Sequence, residues 1–227
     1  MRCHVAFTPA EALAAPLAIV VDVMRATSTI AQALASGYRR VLCCAEIDVA
    51  RRLHEELGET TLTGGERNAE RIPGFEAGAS PREFLNPRAE TLILSTTNGT
   101  RAIVTAASSC REVVLGSLLN LGAIASHASG RGEDTVVLCA GFKDAFAIDD
   151  AYCAGRIVAL LNAERTDAAI AAEVVAARYP DAIDGINART YGPPGLEDDI
   201  AWCSQVDRLD VVPRFSRMVG AAAEVTL

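Results

Sequence analysis

Apolar positions along the chain fall into short blocks whose spacing alternates between strand-like and helix-like. Leu17-Ala18-Ile19-Val20-Val21 is an unbroken apolar run that stops at Asp22, the pattern of a strand covered on both faces. Residues 26–36 then read as a helix and 40–44 (Arg-Val-Leu-Cys-Cys) as the next strand. Residues 47–57 place apolar side chains at 49, 50, 53 and 57, the stripe of a surface helix. The same alternation predicts further strands over 2–7, 60–63, 91–94, 112–115 and 135–139. It predicts helices over 101–109, 118–128, 151–161, 167–178 and 196–204. Residues 2–7 alternate weakly, as a strand near a sheet edge does, and Pro9 with residues 11–14 makes a turn or brief helix. A late strand is expected over 208–212, leading into Pro213-Arg214-Phe215, and a weakly structured tail from 218 to 227. Strands alternating with helices imply a parallel α/β sheet with right-handed crossovers. With no repeat, low-complexity tract or linker, the 227 residues are expected to form a single domain, the helical stretch 151–205 packing on the sheet as a possible subdomain.

Half of the chain is apolar, which supplies a sizeable core. The net charge of −8, without clustered Lys and Arg, argues against a nucleic-acid partner. Arg supplies nearly all the positive charge, Lys143 being the single lysine, and most of the arginines are read as compositional bias. The seven cysteines are scattered, with no CxxC pair and no zinc-like Cys/His spacing, so reduced and mostly buried thiols in a cytoplasmic protein are expected. Residues 12–21 are apolar enough to mimic a signal peptide, but Glu11 and Pro16 interrupt that region, and residues 22–29 read as working sequence rather than a cleavage site. No apolar run approaches the ~20 residues of a membrane helix.

Chemistry concentrates where strands end. In an open parallel sheet, the crevice beyond the carboxyl ends collects loops and helix N-termini, whose free amides and dipoles suit anions. The Leu17 strand delivers Asp22, Arg25 and the hydroxyls of Thr27, Ser28 and Thr29 to the start of a helix. The strand at 60–63 ends in Gly64-Gly65-Glu66-Arg67-Asn68, where two glycines permit a sharp turn beside one acid and one base. The aperiodic stretch 72–85, with Pro73, Gly74, Gly78 and Pro81, is expected to be a functional lid, with disorder as the alternative. The strand at 91–94 hands Ser95-Thr96-Thr97-Asn98-Gly99-Thr100 to another helix start; it is no Walker sequence, since no Lys follows the glycine. Asp149 and Asp150 either cap the helix behind them or complete an oxygen site for a divalent cation with Asp22 and Glu66. Cys139, with no base near it in sequence, reads as a small buried hydrophobe.

In this order, Asp22-Val23-Met24-Arg25-Ala26-Thr27-Ser28-Thr29, Gly65-Glu66-Arg67-Asn68, Gly74-Phe75-Glu76-Ala77-Gly78-Ala79-Ser80-Pro81, Ser95 to Thr100, Cys139-Ala140-Gly141, the Asp149-Asp150 pair and Ala154-Gly155 resemble the 2-phosphosulfolactate phosphatase (ComB) family over nearly the whole chain. The resemblance implies a three-layer α/β/α fold with a mostly parallel central sheet. It implies a Mg²⁺-dependent phosphatase that converts 2-phospho-3-sulfolactate to 3-sulfolactate and phosphate, a step toward coenzyme M. The sequence departs from the family pattern at Ala79, where Asn is usual, at Asp149, where Glu is common, and at Ser28, where Thr is typical.

On this reading Asp22, Arg25, Glu66 and Arg67 are the catalytic residues. Mg²⁺ is held by some of Asp22, Glu66, Asp149 and Asp150, and Arg25 and Arg67 clamp phosphate and sulfonate. Thr27, Ser28, Thr96, Thr97, Asn98 and Gly99 bind phosphate. Water is favoured over Asp22 as attacker, since position 24 is Met24 rather than the second Asp of aspartyl-phosphate enzymes. The alternatives are a protein that binds Mg²⁺ and a phospho-metabolite without turnover, and a phosphate transferase or mutase. The apolar, Ala-rich helices suggest a homodimer.

Overall fold

The computed structural model describes residues 1–11, 14–190 and 194–227, so two positions of the turn expected over 11–14 lie outside the described residues. The elements run in the order β1 (Arg2–Ala6), β2 (Leu17–Val21), α1 (Ala26–Ser36), β3 (Arg40–Cys44), α2 (Ile47–Leu57), β4 (Thr61–Arg67), β5 (Glu70–Arg71) and β6 (Thr91–Ser95). Then come α3 (Gly99–Ser109), β7 (Glu112–Gly116), α4 (Leu121–Arg131), β8 (Thr135–Cys139), α5 (Ile148–Leu160), β9 (Glu164–Arg165), α6 (Asp167–Arg178), α7 (Ala182–Asn187), α8 (Glu197–Cys203), β10 (Arg214–Val219) and β11 (Ala222–Thr226). All eleven strands join one mostly parallel sheet in the order β5-β4-β6-β3-β11-β10-β7-β2-β8-β1-β9, and β1 stands next to one edge, as expected.

Burial on both faces is visible residue by residue. Along β2, Leu17, Ile19 and Val21 enter a core with α4, α5 and α6, while Ala18 and Val20 enter a second core with α1 and α3. Along β3, Val41 and Cys43 join that second core and Leu42 and Cys44 pack toward α2. The result is the three-layer α/β/α arrangement. The second core also takes Leu62 of β4 and Leu92 and Leu94 of β6, so strands from both ends of the sheet wrap the same two helices. Helix α5 approaches α6 closely at Gly155, where a Cβ would come within 2.0 Å of the Ala172 carbonyl oxygen.

Several expectations are corrected. The C-terminal tail is a β-hairpin inserted into the middle of the sheet, antiparallel to β3 on one side and to β7 on the other. The expected strand at 208–212 is irregular, because neighbouring backbone groups are consumed by the turn before α4: Asp207 N donates to Leu118 O, Leu209 N to Leu119 O, and Asn120 Nδ2 to Val211 O. Strand β4 runs on through Glu66 and Arg67, and the turn falls at Asn68-Ala69, where φ is 54° and 65°. The stretch 72–85 is no lid. Ile72, Ala77 and Phe84 are buried, and Gly65 N and Ala77 N bond across between β4 and this segment, extending the sheet edge. Helix α5 begins at Ile148, so Asp149 and Asp150 stand in its first turn instead of before it. Among the described residues no disulfide joins the cysteines, six of which are buried, and no helix is long and apolar enough to cross a membrane.

Candidate active site

A cavity of about 420 Å³ opens at the carboxyl edge of the sheet. Asp22 follows β2, Glu66 ends β4, and Thr96, Thr97 and Asn98 follow β6; all five line it. Strands β2 and β4 stand six places apart in the sheet, and the wrapping round α1 and α3 brings their ends together. Gly99, the first residue of α3, makes the approach possible: a Cβ there would lie 2.4 Å from Ala26 Cβ and 2.7 Å from Asp22 Oδ2. Asn98 stands at the N-cap of α3 with no capping bond from its side chain, whose Oδ1 accepts from Lys143 N at 3.4 Å; Gly99, expected to bind phosphate, is buried and does not line the cavity.

Asp22 is 8 % exposed; its Oδ1 accepts from Ala26 N at 3.2 Å, and among the described residues its Oδ2 accepts nothing. Burial lifts this carboxyl to about 7, against the pull of the Ala26 amide, and the charges of Glu66 and Asp149 add to the rise. Glu66 accepts from Thr97 N and Thr97 Oγ1 at 2.9 Å through Oε1, and from Ala69 N at 2.8 Å through Oε2, which fixes it between the ends of β4 and β6. Arg25 lines the cavity with Nη1 on Asp199 Oδ2 at 2.5 Å and Nη2 on the Ala69 carbonyl at 3.2 Å.

Other expected site residues are placed differently. Thr27 is fully buried, and its hydroxyl donates to the Asp22 carbonyl and accepts from the Asp22 amide. Ser28 donates to the Val23 carbonyl and Thr29 to the Ala79 carbonyl. These hydroxyls shape the turn that presents Asp22, and neither Thr27 nor Ser28 lines the cavity. Arg67 points away from it, donating to the carbonyls of Glu66 and Ala45 and to Ser95 Oγ, so it ties β4, β3 and β6 together. Asp150 sits behind Asp22: Oδ1 accepts from Val23 N at 2.9 Å and Oδ2 from Gly141 N at 3.0 Å, clamping the ends of β2 and β8. Burial, then Asp149 and Asp22 beside it, push its carboxyl well above the usual range. Asp149 is 2 % exposed and accepts from Asp150 N. Neither lines the cavity, and among the described residues no three acidic, His or Cys side chains form a ready chelate. Burial also raises the Cys139 thiol well above its ordinary value, as suits a small hydrophobe.

Sequence pattern alone misses two cations of the site. Lys143 lines the cavity from the tight turn after β8, where Lys143 and Asp144 have φ of 51° and 64°, and Asp144 is tied to Arg101 of α3 at 2.9 Å. Arg189 lines it from the segment after α7 and pairs with no carboxylate among the described residues. The usable signal was the isolation of the single lysine; nothing local distinguishes Arg189. Two anchored carboxylates thus face three cationic side chains and a helix N-terminus, an arrangement suited to a small polyanion bridged by a cation.

The profile of the 2-phosphosulpholactate phosphatase family matches residues 4–217. A probable 2-phosphosulfolactate phosphatase of Caldanaerobacter subterraneus subsp. tengcongensis is 36 % identical over 208 residues, 86 % of each chain. One of Symbiobacterium thermophilum is 35 % identical over 92 % of this chain and 94 % of the relative, and one of Thermus thermophilus is 34 % identical over 98 % of both. With a match of this extent and a cavity built from the same strand-end segments, the chain belongs to the 2-phosphosulpholactate phosphatase family, a family of phosphoric monoester hydrolases.

Proposed function

We propose that the chain is a Mg²⁺-dependent phosphatase that hydrolyses 2-phospho-3-sulfolactate, or a closely related small phosphorylated acid, to the hydroxy acid and phosphate. The observation that carries this reading is one cavity in which Asp22 and Glu66 face Arg25, Lys143 and Arg189. The donor set fits the metal. It consists of oxygens, Asp22 Oδ2 is open, and two carboxylates in a roomy cavity suit a cation that keeps several waters and is shared with substrate phosphate. Asp22 and Glu66 would hold it, and it would supply Lewis-acid stabilisation of the phosphoryl oxygens. Asp149 and Asp150 act behind them, holding the end of β2.

The chain's own groups do the remainder. Lys143 and Arg189 attract the anionic ends of the substrate, and Arg25 offers N–H donors to phosphoryl oxygens. Thr96 and Asn98 give neutral hydrogen bonds, while Thr97, whose amide and hydroxyl both donate to Glu66, holds that carboxylate in place. Water adds to phosphorus, the ester P–O bond breaks, and the leaving alkoxide takes a proton as the hydroxy acid departs. Water remains the favoured attacker, because Met24 stands two residues on from Asp22 where aspartyl-phosphate enzymes carry a second acid. The test is phosphate release from 2-phosphosulfolactate and a panel of small phosphate esters, with MgCl₂ and with EDTA. Turnover that EDTA abolishes supports the proposal. Tight binding without release would favour a binding protein, and phosphate found on a second acceptor would favour a transferase.

A further inference from the structure

Asp199 is a buried acid that none of the strand-end motifs contains, 174 residues from its partner in sequence. It stands in the first turn of α8, 5 % exposed, and α8 is held in place by Ile200 and Cys203 packed into the core. Its two oxygens are divided. Oδ2 accepts from Arg25 Nη1 at 2.5 Å and Oδ1 from Ser80 Oγ at 2.5 Å. Asp199 does not line the catalytic cavity; together with Arg25, Ser80 and Leu196 it lines a neighbouring groove, so the Arg25–Asp199 pair forms the wall between the two.

We infer that Asp199 is a positioning residue that holds the Arg25 guanidinium in the orientation needed for phosphoryl transfer, and that Ser80 orients Asp199; this rests on the phosphatase reading above. A guanidinium carries five N–H donors in one plane. Asp199 and the Ala69 carbonyl take one from each terminal nitrogen, fixing that plane and leaving the remaining donors for the cavity side. An aspartate that close also neutralises most of the arginine's charge. Arg25 therefore contributes directed hydrogen bonds, while the net attraction for a dianion comes from Lys143 and Arg189. The arrangement separates capture from orientation: removing Asp199 leaves the cavity more positive yet poorly aligned.

The two effects have opposite signatures. If orientation dominates, Asp199→Asn lowers kcat by on the order of 10- to 100-fold with KM unchanged or lower, since misplacement acts on the transition state and the added positive charge favours binding. Ser80→Ala gives a smaller fall in kcat of the same kind. In an Arg25→Ala background the Asp199→Asn change has no further effect, and guanidinium ion at sub-denaturing concentration restores part of the activity of Arg25→Ala but not of Arg25→Ala/Asp199→Asn. Equal effects of Asp199→Asn with and without Arg25, or rescue that ignores Asp199, would overturn the inference, because a merely structural role for α8 predicts both. A parent protein that releases no phosphate would instead overturn the phosphatase reading.

Discussion

Two pairs of acids stand at the same sheet edge and have different fates. Asp22 and Glu66 face the cavity; Asp149 and Asp150 are buried behind them in the first turn of α5. The difference lies in which of them border the cavity. Asp150 accepts a backbone amide on each oxygen and serves as a clamp, whereas Asp22 keeps Oδ2 open toward the cavity. Glu66 also accepts an amide on each oxygen, from Thr97 and Ala69, so amide bonds alone do not separate the pairs: Glu66 borders the cavity and Asp150 does not, and Asp22 adds an oxygen that no donor among the described residues has taken.

The contrast can be broken most directly at Asp22. Asp22→Asn should cost on the order of 10³-fold in kcat/KM with little loss of melting temperature, measured by phosphate release and a thermal melt. Asp150→Ala should behave in the opposite way. It strands two buried amides, Val23 N and Gly141 N, at ~1–3 kcal/mol each, so melting should fall by roughly 5–15 °C. An Asp150→Ala protein as stable as the parent would remove the distinction.

A pH series sharpens it further. Because burial raises Asp22 to about 7 in the folded chain, its contribution to stability is full below its unfolded value near 3.8 and is lost as pH rises through about 7. In EDTA the melting temperature should fall between pH 5 and pH 8, Asp22 contributing about 2–3 kcal/mol of the loss and the raised Asp150 carboxyl adding to it; MgCl₂ should restore Asp22's share at pH 8, and Asp22→Asn should make the curve shallower. The smallest effect is expected at the exposed Lys143, which lies outside both pairs. Lys143→Met should raise KM about three- to tenfold with kcat nearly unchanged, as loss of uniform binding does.

Much of the architecture was legible. The strands Leu17–Val21, Arg40–Cys44 and Thr135–Cys139 and the helices Ala26–Ser36 and Ile47–Leu57 fall where local pattern places them, since each buries a face whose period is written in a few consecutive residues. The hairpin Arg214–Val219 and Ala222–Thr226 was not legible. Its residues Ala222 and Ala223 carry no strong period, and its place is set by pairing with β3 about 180 residues earlier and by the buried Glu224 held by Arg40 at 3.0 Å. Asp22, Glu66, Thr97 and Asn98 border one cavity, as their strand-end positions suggest, because parallel strands deliver their ends to one rim. The placement of Arg67 and Thr27 outside the cavity was not legible, because residue type at a strand end does not say which way the side chain turns, and both turn into backbone carbonyls.

By itself the sequence determined the element types, the parallel architecture and the rim on which the chemistry gathers, because hydrophobic period and strand-end polarity are local properties. Only the tertiary structure decided which acids stay open, that Lys143 and Arg189 face them, and that Asp199 holds Arg25. Those outcomes depend on side-chain directions and on contacts between segments far apart in the chain, which burial and hydrogen-bond satisfaction settle only once the sheet has closed round α1 and α3.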